Sequence, residues 1–202
     1  IEARPELARL AASTLMIEQP VGRAIALDRP MQRMSQHCPV IIDESDGTLD
    51  AFVRARRHGY RGVSTKACKG LYKSLINTAR CRVWNAEDGA DHYFMSAEDL
   101  ITQAGLSVQQ DLALASLLGI GHIERNGHHY VNGFATCGAV EARAFAAAHP
   151  DLYDSGNDSG PRLRITAGRL GVQSSGSAIG FGTALTPITA ADAPMAGLAR
   201  VS

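Results

Sequence analysis

The sequence predicts an α/β fold with parallel strands, and three observations carry that prediction. Short apolar runs bounded by turn residues alternate at least four times with longer amphipathic stretches. The interval from one run to the next is close to a single strand–helix repeat. Charged residues stand directly after several runs, the place where parallel α/β sheets collect their chemistry.

The elements follow in order along the chain. Glu6–Ser13 has helical character, and Thr14–Glu18 (TLMIE) is an apolar strand candidate closed by Pro20. Val40–Ile42 is short and β-branched, and ends in the turn-forming run Asp43-Glu44-Ser45-Asp46-Gly47, which suits a buried parallel strand. Leu49–His58 (LDAFVRARRH) is an amphipathic helix stopped by Gly59. Gly62–Lys66 is the next strand and Leu71–Trp84 the next helix. His92–Ser96 makes a further strand, Ser107–Leu118 a helix, and Gly121–Glu124 one more strand. Val140–His149 is an alanine-rich helix ended by Pro150. Ser155–Ser159 reads as a loop, and Arg169–Ser202 is rich in Gly, Ser, Ala and Pro, the composition of an extended or poorly ordered tail.

A doubly wound sheet and a (β/α) barrel both fit this alternation. No G-x-G-x-x-G or G-x-x-x-x-G-K-[ST] motif is present to favour the nucleotide-binding doubly wound sheets, so the barrel is preferred. The expected organisation is a partial (β/α)8-type barrel over residues 1–154, about strands four to eight, followed by a Gly/Ser-rich extended segment over 155–202.

Composition excludes several function classes. The 202 residues include 20 basic and 20 acidic side chains, so net charge supplies no attraction to nucleic acid or to an anionic membrane. No apolar run reaches the length of a membrane span, and the opening IEARPELARL is unlike a secretory signal. Cys38, Cys68, Cys81 and Cys137 form no CxxC pair, which points to reduced thiols of a cytoplasmic protein. Nine Lys/Arg and no Asp/Glu lie between Arg54 and Arg82, the one stretch that suggests a nucleic-acid binder, but the arginines make no single stripe and Tyr60 and Tyr72 are sparse aromatic company. His128 and His129 are adjacent, so in a strand they face opposite ways and form no chelating pair.

Three strand ends carry candidate chemistry: Glu18 in IEQP, Asp43-Glu44 after VII, and Lys66 with Lys69 three residues on. Glu18 to Asp43 is 25 residues and Asp43 to Lys66 is 23, each about one strand–helix repeat. Carboxylates at neighbouring strand ends converge on one mouth, where hard oxygen donors suit Mg²⁺. A lysine beside such a cation is expected to have a lowered pKa and to serve as a base. Glu98 or Asp99, and Glu124 or His122, are further acidic or basic groups at later strand ends.

The runs IEQP, PVIIDES and GVSTKACKG resemble the fourth, fifth and sixth barrel strands of the mandelate racemase/muconate lactonizing enzyme family of the enolase superfamily. The stretch from Gly168-Arg169-Leu170 to Gly180-Phe181-Gly182 also resembles that family's closing segment. The resemblance implies Glu18 and Asp43 as Mg²⁺ ligands, Lys66 as the acid/base, and Glu44 as an outer or occasional ligand. It implies a lyase or isomerase that removes the proton alpha to a carboxylate of a small substrate through a metal-stabilised enolate: a racemase, epimerase, acid-sugar dehydratase or cycloisomerase. Family members carry paired glycines after the sixth-strand lysine, where this chain has Cys68-Lys69-Gly70-Leu71. The family's first metal aspartate, second-strand lysine motif and capping domain have no counterpart, so a fragment or a non-catalytic relative is the alternative. Uncovered barrel edges imply association, as a homo-oligomer.

Overall fold

A computed structural model describes residues 4–98, 104–125, 131–135, 137–157 and 160–184. The chain forms two compact units, one of Ile1–Asp99 with Leu114–Arg125, the other of Leu100–Ala113 with Asn126–Ser202.

The first unit opens with a 3-10 turn, Pro5–Leu7, running into helix α1, Ala8–Ser13. Strand β1 (Ile17–Glu18) is followed by two single-turn helices, α2 (Arg23–Ala26) and α3 (Gln32–Ser35). Then come β2 (Val40–Ile42), α4 (Ala51–Arg57), β3 (Gly62–Thr65), a 3-10 turn over Ala67–Lys69, α5 (Leu71–Asp88) and β4 (Phe94–Ala97). The four strands make one parallel sheet in the order β1-β2-β3-β4. Helix α6 is Leu106–Leu118, of which only the part from Leu114 belongs to this unit, and beyond it Glu124 forms a single parallel bridge to Glu98. The α/β class with parallel strands is therefore present, and among the described residues the sheet is open rather than closed.

The register explains where the core lies. Side chains alternate along a strand, and neighbours in register share a face. Val40, Ile42, Val63 and Met95 face the helices and pack with Phe52, Ala55, Cys81 and Trp84. The buried residues of α5, Ser74, Asn77, Cys81 and Trp84, recur at helical spacing and define its inner stripe. Trp84 meets Phe52 and Tyr93 edge-on, with ring centroids 5.0 and 5.4 Å apart. The opposite sheet face carries Glu18, Ile41, Gly62, Ser64 and Ser96. A β-carbon on Gly62 would lie 2.6 Å from the Phe94 carbonyl oxygen and 2.8 Å from Ile41, so only glycine lets these three strands approach here. Gly59, at φ +87°, ends α4 in a backbone conformation that glycine adopts without a steric cost.

The second unit contains α7 (Ala139–Ala148) and an antiparallel hairpin of β5 (Tyr153–Asn157) and β6 (Gly160–Leu163). A smaller hairpin, β7 (Ile165–Thr166) with β8 (Arg169–Leu170), turns through Ala167 and Gly168, both at positive φ. Helix α8 is Gln173–Ser177. Ser155–Asn157 were expected in a loop and lie in β5 instead, because pairing with Gly160–Leu163 satisfies backbone groups that local composition does not reveal. The expected strand Gly121–Glu124 is reduced to the bridge at Glu124, and β1 is shorter than the run Thr14–Glu18 because Leu15 is exposed beyond the reach of β2. His128, His129 and residues 185–202 lie outside the described residues.

Candidate metal centre

The sheet places the site. Ile17 pairs with Val40 and Glu18 with Ile41, while Ile41 pairs with Gly62 and Thr65 with Ala97. Continuing that alternation past the strand ends puts Glu18, Asp43, Lys66 and Glu98 on one face at the carboxyl ends of β1 to β4. Carboxylate oxygens of Glu18, Asp43 and Glu98 all lie within 4.8 Å of one another. Asp43 and Glu98 are buried and Glu18 is half-buried.

Two lysines reach the cluster. Lys66 Nζ donates to Glu98 Oε1 and stands 3.9 Å from Asp43 Oδ2. Lys69 Nζ donates to Asp43 Oδ1, to the Asp43 carbonyl at 3.1 Å and to the Ser64 carbonyl at 2.9 Å. All three ammonium protons of Lys69 are thus committed, whereas Lys66 is tied, among the described residues, to carboxylates alone.

The backbone around these groups is fixed by a residue that sequence reasoning passed over. Gln19 accepts from the amides of Asp43 (2.9 Å) and Ser45 (3.2 Å) through Oε1, and donates through Nε2 to Ser45 Oγ (2.9 Å) and the Val21 carbonyl (2.8 Å). One amide side chain therefore sets the spacing of the β1 and β2 ends. Lys73 of α5 pairs with the buried Asp46 at 3.0 Å, tying the first turn of that helix to the same loop. The Thr65 and Ser74 hydroxyls, 2.6 Å apart, join β3 to α5. A glutamine following a strand-end glutamate was the available signal for the first of these contacts.

Electrostatics follow from crowding. Burial, then the charges of Asp43, Glu98 and Glu124, push the Glu18 carboxyl up to about 7. Burial also opposes ionisation of Asp43, but the hydrogen bond and charge of Lys69, with Lys66, outweigh it and hold that carboxyl below its ordinary value. Glu98 is raised, by burial and by its hydrogen bond and proximity to Asp43, against the pull of Lys66. Asp43 is accordingly the more acidic carboxyl of the pair and Glu98 the less acidic. For Lys66, burial alone would depress the ammonium, yet the Glu98 hydrogen bond and the Asp43 and Glu98 charges hold it above the ordinary lysine value. That direction is opposite to the one expected from sequence, because the lysine faces two carboxylates directly.

The other expected residues divide plainly. Glu98 joins the cluster, and its distance in sequence from Lys66 hid it: α5 is 18 residues long, so this repeat is longer than the two before it. Glu44 and Glu124 are exposed, and His122 is exposed as well. Asp99 lies outside the described residues. The four cysteines are free of disulfides.

Three carboxylates offer only oxygen donors, a set that fits a hard divalent cation. The Ser64 hydroxyl, wholly buried on the same sheet face, has no hydrogen-bond partner among the described residues. No family model, curated protein or solved structure matches the chain. No described helix is long and apolar enough to cross a membrane.

Proposed function

We propose that the first unit is an arc of a (β/α) barrel whose strand ends form a divalent-metal site for proton transfer at the carbon alpha to a substrate carboxylate. The observation that carries this reading is the convergence of Glu18, Asp43 and Glu98 within 4.8 Å, with the Lys66 ammonium against two of them. The sequential strand order supports the barrel arc, since a doubly wound sheet reverses its order at a switch point. The Glu124 bridge beside Glu98 continues the same progression by one position.

Glu18, Asp43 and Glu98 would hold the cation, and Mg²⁺ is the ion that their hardness favours. Bound there, it supplies positive charge for a substrate carboxylate and for the negative charge that develops when the α-proton leaves. Lys66 Nζ is the group that moves the proton. The carboxylates that now raise its pKa are the same ones that would hold the cation, and with their charge so shared Nζ would be freer to accept a proton. Lys69 keeps Asp43 oriented, and Gln19 keeps the two strand ends in register. Racemisation, epimerisation, dehydration and cycloisomerisation share this first step, so the reading extends to the enolase-superfamily reaction class and no further.

The test has two arms. Calorimetric titration with Mg²⁺ or Mn²⁺ should give a saturable site in the parent chain and none in Glu98→Gln. In D₂O with Mg²⁺, a panel of 2-hydroxy and sugar acids should include one that exchanges its α-proton, and Lys66→Ala should abolish that exchange. Undiminished exchange in Lys66→Ala would remove the assigned base.

A second reading is favoured by one observation: Lys66 and Lys69 already lie on the carboxylates they would surrender to a cation. In that reading the group is a buried ion network that fixes the strand ends in a non-catalytic relative. It requires that no cation bind, and that Glu98→Gln cost stability in the presence and absence of Mg²⁺ alike.

A further inference from the structure

A polar cavity lies in the first unit, at the opposite ends of the strands from the acidic cluster. It has a volume of about 270 Å³, and its lining includes Arg61 and Tyr93, the residues that immediately precede β3 and β4. No Asp or Glu lines it.

Of the nine basic residues from Arg54 to Arg82, Arg57 and Arg82 are exposed with no ion pair among the described residues, and six others are engaged elsewhere. Lys66, Lys69 and Lys73 go to Glu98, Asp43 and Asp46. Arg54 pairs with Asp28 at 3.3 Å, and Arg80 donates to the Leu49 carbonyl at 2.6 Å. Arg56 stacks on Trp84 and Tyr93 and pairs with Glu87 and Asp88, so its charge is compensated. Arg61 is different. It is half-buried, its backbone is held between the Val40 carbonyl and the Phe94 amide, and its guanidinium has neither hydrogen bond nor ion pair among the described residues.

The remaining polar groups of the lining sort themselves into used and free. Tyr60 donates to the Ala26 carbonyl (3.0 Å), Ser35 to the Gly59 carbonyl (2.7 Å) and Gln32 to the Arg57 carbonyl (3.1 Å). Free among the described residues are the Arg61 guanidinium, the Gln36 amide and the His92 imidazole, every one capable of donating. A half-buried arginine that shares a lining with two exposed donors, Gln36 and His92, and with no acid is the arrangement that an oxyanion completes, since the planar guanidinium fork matches carboxylate or phosphate oxygens two at a time.

We propose that this cavity binds a small oxyanion through Arg61, Gln36 and His92, at a site separate from the acidic cluster. A cavity of this size holds a phosphate or a short organic acid rather than a nucleotide. The inference does not rest on the metal reading, because none of its residues belongs to that cluster.

The experiment is a ¹H–¹⁵N titration of the full chain with inorganic phosphate, and in parallel with succinate, at constant ionic strength. Saturable shifts are expected at the amides of Gly59, Arg61 and Tyr93, and whichever anion saturates at lower concentration identifies a phosphate or a carboxylate ligand. Arg61→Gln should weaken that binding at least tenfold, and Arg61→Lys, which keeps the charge but loses the fork, should fall between. Arg82→Gln, on the exposed face of α5, should leave it unchanged. Saturation by neither anion, or equal binding by Arg61→Gln with a native spectrum, overturns the proposal. Metal chelation should have no effect on the phosphate titration, so this result stands or falls separately from the metal site.

Discussion

Glu18 and Lys69 show what single residues contribute to the cluster. The Glu18 carboxyl titrates near 7 in the fold against 4.5 unfolded, so its contribution to stability is present below about 4.5 and is lost as pH rises through 7. Urea midpoints of the metal-free chain should therefore decline between those values, and Glu18→Gln should flatten the decline. If the cluster takes a cation, the same titration reverses the trend, with affinity rising through pH 7 as Glu18 gives up its proton. Lys69→Met strips one buried carboxylate and two carbonyls of their shared donor, for a cost of about 3–5 kcal/mol in urea denaturation. Glu44→Gln, at an exposed neighbour of Asp43, should change stability by less than about 0.5 kcal/mol. Glu18, Asp43 and Lys66 were legible because each directly follows an apolar run. Glu98 was named only as one of several later acids, since no spacing singled it out, and Gln19 acts through amide hydrogen bonds that leave no periodic trace.

At the scale of elements, strand ends are positioned by how closely β2, β3 and β4 approach and by how α5 packs across them. Gly62→Ala inserts a methyl against the Phe94 carbonyl and Ile41, so the strands must part. A loss of about 1–3 kcal/mol is expected, and any Mg²⁺ site should weaken with it. Trp84→Ala removes the ring that joins Phe52 to Tyr93 and should cost about 3–5 kcal/mol by chemical denaturation. Val40–Ile42 was legible to the residue, because a wholly buried parallel strand is a continuous apolar run. Helix α5 ran four residues past its expected end at Trp84, since Asn85–Asp88 carry no stop signal before Gly89. The β5–β6 hairpin was not anticipated, because a strand carrying Ser, Gly and Asn owes its form to its partner, and the strands of β7–β8 are two residues each, too short to leave a pattern.

Over the whole molecule, the two units hold their titratable groups in different ways. In the second, the buried His149 faces Ser174 Oγ through Nδ1 at 3.0 Å and accepts the Ala184 amide through Nε2 at 3.2 Å. Burial lowers its pKa below the ordinary 6.5, against the nearby Asp151 charge. The stability it confers is present above about pH 6.5 and is lost as pH falls through the lower folded value. The protection factor of the Ala184 amide, its exchange rate corrected for the intrinsic pH dependence, should therefore fall on acidification, and His149→Gln should abolish that fall. The basic stretch that suggested nucleic acid is largely consumed by internal ion pairs, so oligonucleotide binding with a steep salt dependence is not expected.

Local pattern was enough to assign an α/β class, three parallel strands and the charges that end them, because hydrophobic period and turn chemistry are written within a few residues. Convergence is a different kind of fact. That Glu98 completes the acidic group, that the Lys66 ammonium faces it, and that the Arg61 guanidinium has no partner among the described residues all depend on register between strands separated by whole helices. Those distances arise from packing, which no short window of sequence contains.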